Sequence, residues 1–372
     1  MRRALTLVLV AAMCVLSGCA VAGAEASDTC VHADAPLASL DLVEDVRAST
    51  GGSTACLSTH GVTPIDDDTA PELPVSVTDA EGREVEITDI GRILPIDISG
   101  TIAATVFGLG LGENVVGRDL STTFAGTEDL PVVTQSGHTL NAEAILELAP
   151  TVVLTDTSIG PKEVRQQLRE AGIPMVVVSS ERRVDTVDDL VNEIAVALGV
   201  PSRGATLVDR LDTEVEDARA EIAEITPTDP ADKARMLFLY VRGNANVYYI
   251  FGRDSGADSL IEAVGGVDVA SEIGWEGMKP MTAEALVAAQ PDVLVMMTDG
   301  LASVDGIDGL LERIPALAQT PAGQHRRVVD MADTEILSFG PRSAQIIRAL
   351  ARALYAPADS PASADSTPSS TP

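Results

Sequence analysis

A weak internal repeat is the feature that most constrains how this chain can fold. Residues 139–156 (TLNAEAILELAPTVVLTD) match residues 280–297 (PMTAEALVAAQPDVLVMM), 141 positions further along the chain. Each copy begins with a residue that can cap a helix (Asn141 or Thr282), continues as a short amphipathic helix, breaks at a proline and ends in an apolar strand. Further helix and strand patterns precede each copy. The repeat therefore predicts two α/β lobes, at residues 73–184 and 229–355.

The segment between the predicted lobes, residues 185–228, has no strand pattern. Residues 203–225 carry apolar side chains at helical spacing: Leu207, Leu211, Val215, Ala218 and Ile222. At 1.5 Å per residue this helix would span about 35 Å. One long helix between two lobes predicts a stiff bilobal molecule. Since α/β sheets bind ligands at the carboxyl ends of their strands, and pockets favour domain interfaces, we expect the ligand site between the lobes.

The amino terminus carries a secretion signal. Two arginines precede an apolar run (residues 4–15), and the tetrapeptide LSGC follows, ending at Cys19. This pattern predicts a signal peptide, residues 1–18, whose apolar run is too short to span a bilayer. The tetrapeptide resembles the bacterial lipobox, which implies that Cys19 becomes the lipid-modified first residue and anchors the protein to the outer face of the cell membrane. A plain cleaved signal with an incidental cysteine is the alternative.

Residues 19–72 form a polar extension before the first lobe. It contains one helical pattern between Leu37 and Val46, and residues 63–74 have the composition of a linker. Disulfides persist outside the cell, so we expect Cys30 to pair with Cys56, two free thiols being the alternative. The end of the chain, residues 356–372, contains only Ala, Pro, Ser, Asp and Thr and predicts a disordered tail.

Charge and motifs exclude several function classes. The chain has 25 Lys and Arg against 56 Asp and Glu, a formal net charge of −31. It therefore lacks the basic stripe that a nucleic-acid-binding protein needs to neutralise phosphates. The G-x-S-x-G, Walker and H-E-x-x-H motifs are also absent from the sequence. These features favour a monomeric binding protein rather than an enzyme.

Two residues are candidates for binding iron. His138 lies in an SGHT loop just before the helix of the first repeat, at the carboxyl end of a predicted strand. Tyr240 lies in the strand pattern MLFLYV, and Arg242 follows two residues later, which places both side chains on one face. A guanidinium beside a phenol favours the phenolate, a hard ligand for ferric iron. An exposed loop histidine and a strand-end tyrosine with a surface arginine are the alternatives. Four histidines are too few for the imidazole cluster of a zinc or manganese importer.

The signal, the two repeated lobes and the linking helix together resemble the substrate-binding proteins of ABC importers for metal chelates. The resemblance covers residues 73–355. Within it, LPVVTQSGHTLNAEA (130–144) and LFLYVRGNA (237–245) are similar to haem-binding lipoproteins of the HmuT type. The resemblance implies that haem b is bound between the lobes, with His138 and Tyr240 as axial ligands of its iron. It also implies delivery to an ABC permease and its ATPase, with haemoglobin or another surface haem-binding protein as a candidate source.

Further residues are expected to line the haem pocket or to contact the permease. Aromatic and methionine side chains that should face the cleft suit a flat apolar macrocycle: Tyr248, Tyr249, Trp275, Met278, and Met296 or Met297. Arg242 and Arg342 are candidates for pairing with haem propionates, although Arg342 would equally suit a carboxylate of its own lobe. The resemblance implies that Glu143 and Glu284, one in each repeat, dock onto permease arginines. Each also suits the first turn of a helix by itself.

Two rival functions remain open from the sequence. The first is a siderophore or cobalamin carrier of the same fold, although a siderophore site would use several arginines rather than a histidine and tyrosine. The second is an extracellular cell-wall enzyme with His138 as base and Asp156 or Glu163 as its partner. Enzymes that act on sugar chains usually line their clefts with aromatic residues, which make up only 3% of this chain.

Overall fold

The computed structural model describes residues 35–67 and 69–357 as a mixed α/β protein. The strands are, in chain order, β1 (Gly52–Ala55), β2 (Val75–Thr78), β3 (Glu84–Ile87), β4 (Ile93–Ile96), β5 (Thr134–Gln135), β6 (Thr139–Leu140), β7 (Val152–Thr155), β8 (Met175–Val177), β9 (Arg235–Arg242), β10 (Val247–Phe251), β11 (Val267–Asp268), β12 (Met278–Pro280), β13 (Val293–Met297) and β14 (Val328–Met331). The helices are α1 (Thr101–Gly108), α2 (Ala142–Glu147), α3 (Lys162–Glu170), α4 (Val187–Ala197), α5 (Pro201–Ala223), α6 (Ala257–Ala263), α7 (Val269–Glu272), α8 (Ala283–Ala289), α9 (Thr298–Ala302), α10 (Gly306–Arg313), α11 (Pro321–His325) and α12 (Ser343–Tyr355).

The two copies of the repeat fold alike. Helices α2 and α8 begin at equivalent positions, and the side chains of Asn141 and Thr282 cap them by accepting the N–H groups of Ala144 and Ala285 at 3.2 and 3.1 Å. Strands β7 and β13 then follow, each fully buried in the middle of its sheet. Because each cap satisfies a backbone donor that the first helical turn leaves free, the local sequence specifies the same unit twice.

The strands form one main sheet in each lobe, and the first lobe also has two short antiparallel pairs, β2-β3 and β5-β6. The first lobe has a parallel sheet in the order β4-β7-β8, with the antiparallel pair β2-β3 beside it. The second lobe has a seven-stranded sheet in the order β1-β14-β13-β9-β10-β12, with β11 also paired to β9. Its strands are parallel from β1 to β9, and β10 and β12 run antiparallel to their neighbours. The parallel strands β4, β7, β8, β13 and β14 are fully buried, as their largely apolar sequences require.

The predicted long helix is confirmed as α5, which has 23 residues. Leu207, Leu211, Ala218 and Ile222 are buried along one side, and Val215 is half-buried. This side packs against α4, which contacts α1 and β2 of the first lobe, and against α12 of the second lobe. The apolar stripe of α5 is therefore shared between the two lobes.

The amino-terminal extension differs from the prediction. The helical pattern between Leu37 and Val46 forms only two 3-10 turns, Leu37–Ser39 and Val46–Ala48. Between them the N–H of Val43 donates to the carbonyl of Tyr355 at the end of α12, so the backbone is satisfied by the second lobe rather than by a helix of its own. Strand β1, which has no apolar run to signal it, adds to the sheet edge beside β14.

The extension then crosses from the second lobe to the first. Gly61 forms a backbone bridge to Ala125, and the N–H of Ile65 donates to the carbonyl of Gly108 at the end of α1. Arginine side chains of α5 donate to carbonyl groups of residues 63–69. In its described part, the stretch predicted as a linker therefore lies bound to the first lobe and to α5. Because β1 pairs with β14, the extension as a whole connects the lobes in addition to α5.

Several predictions fall outside the residues that the structure describes. They are the signal peptide at residues 1–18, the lipid on Cys19, the disulfide from Cys30 to Cys56, and the disordered tail beyond residue 357. Each stays a prediction. Within the described ranges, no helix combines the length and the apolar character that a membrane crossing requires.

Candidate functional site

One face of β9 and β10 is a row of aromatic rings. Tyr240 stacks on Phe251 with ring centroids 5.7 Å apart and meets Tyr249 edge-on at 6.4 Å. Phe238 continues the row, stacked on Phe251 at 5.0 Å. Cross-strand pairing aligns Tyr240 with Tyr249 and Phe238 with Phe251, which puts all four rings on one side of the sheet, called here the Tyr240 face. The hydroxyl of Tyr240 makes no hydrogen bond within the described part of the chain, so its oxygen is available to a ligand.

Arg242 is held against this face. Its guanidinium carbon lies 4.5 Å from the centroid of the Tyr240 ring. The guanidinium donates to the carbonyl of Val241 at 2.9 Å, lies 3.7 Å from the sulfur of Met297, and forms an ion pair with Asp333. The prediction that Tyr240 and Arg242 share a face is confirmed. The cation, however, lies over the ring rather than beside the hydroxyl, in the geometry of a cation–π contact.

Strand alternation decides which methionines reach the Tyr240 face. Met296 is fully buried in the apolar cluster on the opposite side of the second sheet, and Met297 contacts Arg242 instead. Successive residues of a strand point to opposite faces, so only one of the two can line this site, and the expectation for Met296 is wrong. Met278 is aligned with Phe251 across β10 and β12, and it is 55% exposed. Met278 therefore belongs to the Tyr240 face.

Two predicted aromatic pocket residues lie on the other side of the sheet. Trp275 and Tyr248 both pack against the apolar cluster that contains Met296. The indole N–H of Trp275 donates to the carbonyl of Ile250 at 3.2 Å, which fixes the ring at that side. The structure thus brings Tyr249 to the Tyr240 face, and leaves Tyr248 and Trp275 away from it.

Arg342 is also withdrawn from the site. It is only 2% exposed and forms an ion pair with Glu335 at 2.9 Å. Burial lowers the pKa of Arg342, while the carboxylate of Glu335 opposes that effect. Of the two partners expected for this arginine, the carboxylate of its own lobe is the one found, so Arg342 is not presented to a propionate.

His138 projects from a backbone turn that few residues adopt. Gly137 and His138 have φ angles of 72° and 60°, in the left-handed region that is costly for a residue with a Cβ atom. Such strain persists where the surrounding structure holds it and is often found at functional sites. The Nδ1 atom of His138 is buried, with no hydrogen-bond partner among the residues described. Burial and the charge of Arg242 lower the pKa of His138, against an opposing effect of Asp97.

These effects leave the imidazole neutral at physiological pH, with a nitrogen lone pair free to bind metal. Arg242 lies in the second lobe, so one of the charges that lower the pKa of His138 comes from the opposite lobe. His325 is the other histidine of the lobes. Its Nδ1 lies 3.0 Å from the carbonyl of Arg47 in the extension, a contact that helps hold the extension to the second lobe.

The carboxylates near His138 do not form a catalytic pair with it. Asp156 follows β7 and pairs with Arg182 at 2.7 Å, and Asp97 follows β4 and lies 3.4 Å from the same guanidinium. Burial and the neighbouring charge of Asp97 raise the pKa of Asp156. Asp156 is therefore engaged with Arg182 and Ser158 rather than orienting an imidazole. In the described chain no hydrogen bond joins His138 to Asp156 or to Glu163, the two partners that a hydrolase arrangement would use.

Two rings of the Tyr240 face, Phe238 and Phe251, and the ion-pair partner of Arg242 were not predicted from the sequence. Phe251 could have been found from strand phase, because it lies two residues after Tyr249. Asp333 lies in the loop after β14, with no pattern around it that signals a partner for Arg242. A long-range ion pair of this kind has no local sequence signature.

Glu143 and Glu284 occupy equivalent exposed positions. Each lies in the first turn of its helix, α2 or α8, two residues after the capping residue. Both side chains are exposed to solvent. The geometry leaves both carboxylates available to a partner.

Comparison with known proteins agrees with this architecture. The family model described as periplasmic binding protein matches residues 97–334. The structure of the haem-binding protein HmuT is 45% identical, with a TM-score of 0.78, and the match covers 84% of this chain and 99% of that one. Solved variants of HmuT have a histidine, an arginine or a tyrosine replaced by alanine.

Two curated relatives are more distant. The uncharacterised ABC transporter substrate-binding lipoprotein YvrC of Bacillus subtilis is 26% identical over 76% of this chain and 86% of its own length. A cobalamin-binding protein of Halobacterium salinarum is 26% identical over 78% of this chain and 76% of its own length. The family match spans more than half of the sequence and coincides with the two-lobed α/β fold. This chain is therefore a member of the periplasmic binding protein family.

Proposed function

We propose that this protein binds haem between its two lobes, with the iron held by Tyr240 from the second lobe and His138 from the first. One combination of side chains carries the proposal. The second lobe offers a tyrosine hydroxyl that makes no hydrogen bond in the described chain, beneath a fixed arginine. The first lobe offers a neutral histidine whose Nδ1 has no partner in the described chain. The oxygen of tyrosine and a ring nitrogen of histidine are established axial ligands of haem iron. The aromatic row and Met278 supply the apolar surface that a porphyrin plane requires.

The similarity to HmuT supports haem over the other chelates that this family carries. The cobalamin-binding relative is more distant in sequence, at 26% identity against 45% for HmuT. A siderophore carrier would need several arginines facing the ligand, but here Arg342 and Arg182 are both engaged with carboxylates. Cobalamin is the second candidate that the comparisons favour.

A ligand titration separates these candidates. We expect the purified chain to take up haemin at about one equivalent and to develop a strong Soret band, since one tyrosine–histidine pair binds one iron. Cyanocobalamin and a ferric hydroxamate siderophore should neither bind on their own nor displace haemin. Displacement of haemin by cyanocobalamin, or the lack of a Soret change with haemin, would reject the assignment of haem as the ligand.

We also propose that the protein works as a lipoprotein on the outer face of the membrane. The LSGC tetrapeptide supports this, and YvrC is named as a lipoprotein. The natural protein should then partition into the detergent phase of a phase-separation assay, because two or more acyl chains anchor a protein stably. A Cys19→Ser variant should move to the aqueous phase or keep its signal peptide. If its partitioning is unchanged, the lipid anchor is not on Cys19.

Delivery to an ABC permease would use Glu143 and Glu284. Two exposed carboxylates at equivalent helix starts on a rigid bilobal body can set the register of docking, although each ion pair alone is worth only about 0–1 kcal/mol. We expect the double variant Glu143→Lys/Glu284→Lys to lose haem uptake in cells while keeping the haemin titration of the unmodified protein. The matched control is Glu163→Lys/Glu312→Lys, which reverses two exposed glutamates at other positions, one on each lobe. Equal uptake by the two double variants would mean that docking uses another surface.

A further inference from the structure

The arginine beside the proposed iron-binding tyrosine is already neutralised by a carboxylate. One oxygen of Asp333 accepts from the guanidinium of Arg242, and its other oxygen accepts the backbone N–H of Asp299 at 2.9 Å. The side chains of Arg242 and Asp333 are only 32% and 16% exposed. Water screens this pair less than a surface pair, so each charge strongly affects the other.

The loop that carries Asp333 is held by contacts to both lobes. The hydroxyl oxygen of Thr334 lies 3.0 Å from that of Thr123 in the first lobe. Glu335 is held by the buried Arg342 at 2.9 Å. The carboxylate of Asp333 therefore cannot drift away from Arg242 without breaking neighbouring contacts. This anchoring holds the guanidinium over the Tyr240 ring.

The charge balance at Tyr240 follows from this geometry. A guanidinium 4.5 Å from the ring centroid stabilises a negative charge on the phenol oxygen, and so favours the anionic form of the side chain, which is the form that binds ferric iron. A carboxylate bound to the same guanidinium removes part of this stabilisation. Met297 and the carbonyl of Val241, the other groups in contact with Arg242, carry no full charge. The net effect on the phenolate is therefore set by Arg242 and Asp333 together.

We propose that Asp333 is a positioning residue that holds Arg242 over Tyr240 and offsets its charge, and thereby limits how tightly the phenolate holds haem iron. This inference rests on the proposed function, in which haem is cargo that has to be released. A carrier with an uncompensated arginine at this position would hold its cargo more tightly and pass it on more slowly.

The test compares the rate of haem release from three variants with that from the unmodified chain, using excess apomyoglobin as acceptor. Asp333→Asn keeps the shape of the side chain and an acceptor oxygen but removes the charge. Asp333→Glu keeps the charge on a side chain that is longer by one methylene group. Asp308→Asn is the matched control, because Asp308 also pairs with an arginine of the second lobe, Arg326 at 2.6 Å, but is exposed on α10.

We expect Asp333→Asn to slow haem release on the order of tenfold, since removing the compensating charge favours the phenolate. Its phenolate-to-iron charge-transfer band should also shift. Asp333→Glu should release haem at a rate within about twofold of the unmodified chain, because the ion pair is retained. Asp308→Asn should match the unmodified chain in both rate and spectrum.

Release by Asp333→Asn at the rate of Asp308→Asn, or faster, with an unchanged band would overturn the role of Asp333. The spectrum of the unmodified chain distinguishes a failure of the inference about Asp333 from a failure of the proposed function. If it shows the charge-transfer band and only the Asp333 variants behave contrary to expectation, haem ligation by Tyr240 stands and the inference about Asp333 is wrong. If it shows no such band, the assignment of Tyr240 fails, and the inference fails with it.

Discussion

Haem binding by a Tyr240→Phe variant is expected to be about a hundredfold weaker than that of the unmodified chain, a loss of roughly 3 kcal/mol. Phenylalanine keeps the stack on Phe251 at 5.7 Å and the surface beneath Arg242, so the apolar contact with the porphyrin should survive. What it removes is the phenolate oxygen, the only hard anionic ligand proposed for the ferric iron. The measurement is a Soret titration against a competing haem-binding protein of known affinity.

Tyr249→Phe is the matched control for this substitution. Tyr249 lies on the same face, with its ring centroid 6.4 Å from that of Tyr240, and loses the same single hydroxyl. We expect it to bind haemin within about threefold of the unmodified chain, because it is not a ligand in the proposed site. Equal losses in the two variants would mean that a general change in the aromatic row, and not an iron–oxygen bond, explains the effect.

Replacing Arg327 by methionine is expected to lower the free energy of unfolding by about 3 kcal/mol, since buried hydrogen-bond acceptors would be left unpaired. Arg327 is fully buried and has no ion-pair partner within the described ranges. Burial lowers its pKa to about 10. Its guanidinium donates to the carbonyls of Ala353 and Leu354 at the end of α12, and to the hydroxyl of Ser53 in β1. It thus joins the amino-terminal extension to the second lobe.

Chemical denaturation measures this effect, and Arg348→Met is the control. Arg348 lies on α12, the helix whose last carbonyls Arg327 binds, but it is partly exposed and pairs with Glu221 at 2.9 Å, so its loss should cost no more than about 1 kcal/mol. We also expect β1 to become accessible to protease in the Arg327 variant, because the bond to Ser53 is lost. Equal stability of the two variants would show that the extension is not held by Arg327.

Local periodicity predicts the repeat and the long helix correctly, whereas the helical pattern between Leu37 and Val46 forms only two 3-10 turns. Helix α5 was expected at residues 203–225 and is found at Pro201–Ala223, because its apolar stripe is continuous and a helix depends on neighbours along the chain. Strand β1 was not predicted. It is the short sequence GSTA, and what makes it a strand is pairing with β14, more than 270 residues away along the chain. Pairing of this kind leaves no local pattern.

The same distinction applies at the site. Tyr240 and Arg242 were predicted to share a face from their spacing alone, and they do. Whether Met296 and Trp275 reach the site depends on which side of the second sheet faces the first lobe. The packing of the two lobes sets this, and local sequence does not show it. The partner of Arg342 cannot be predicted from the sequence, because the fold of a loop brings Glu335 next to it.

The central claim is that haem iron is held from both lobes at once, and resonance Raman spectroscopy of the ferric haem complex tests it most directly. The unmodified chain should show six-coordinate iron with iron–phenolate vibrations. His138→Ala should give five-coordinate iron that keeps those vibrations, and Tyr240→Phe should lose them. If the coordination number and the iron–phenolate bands are the same in all three proteins, neither residue is a ligand and the account is contradicted.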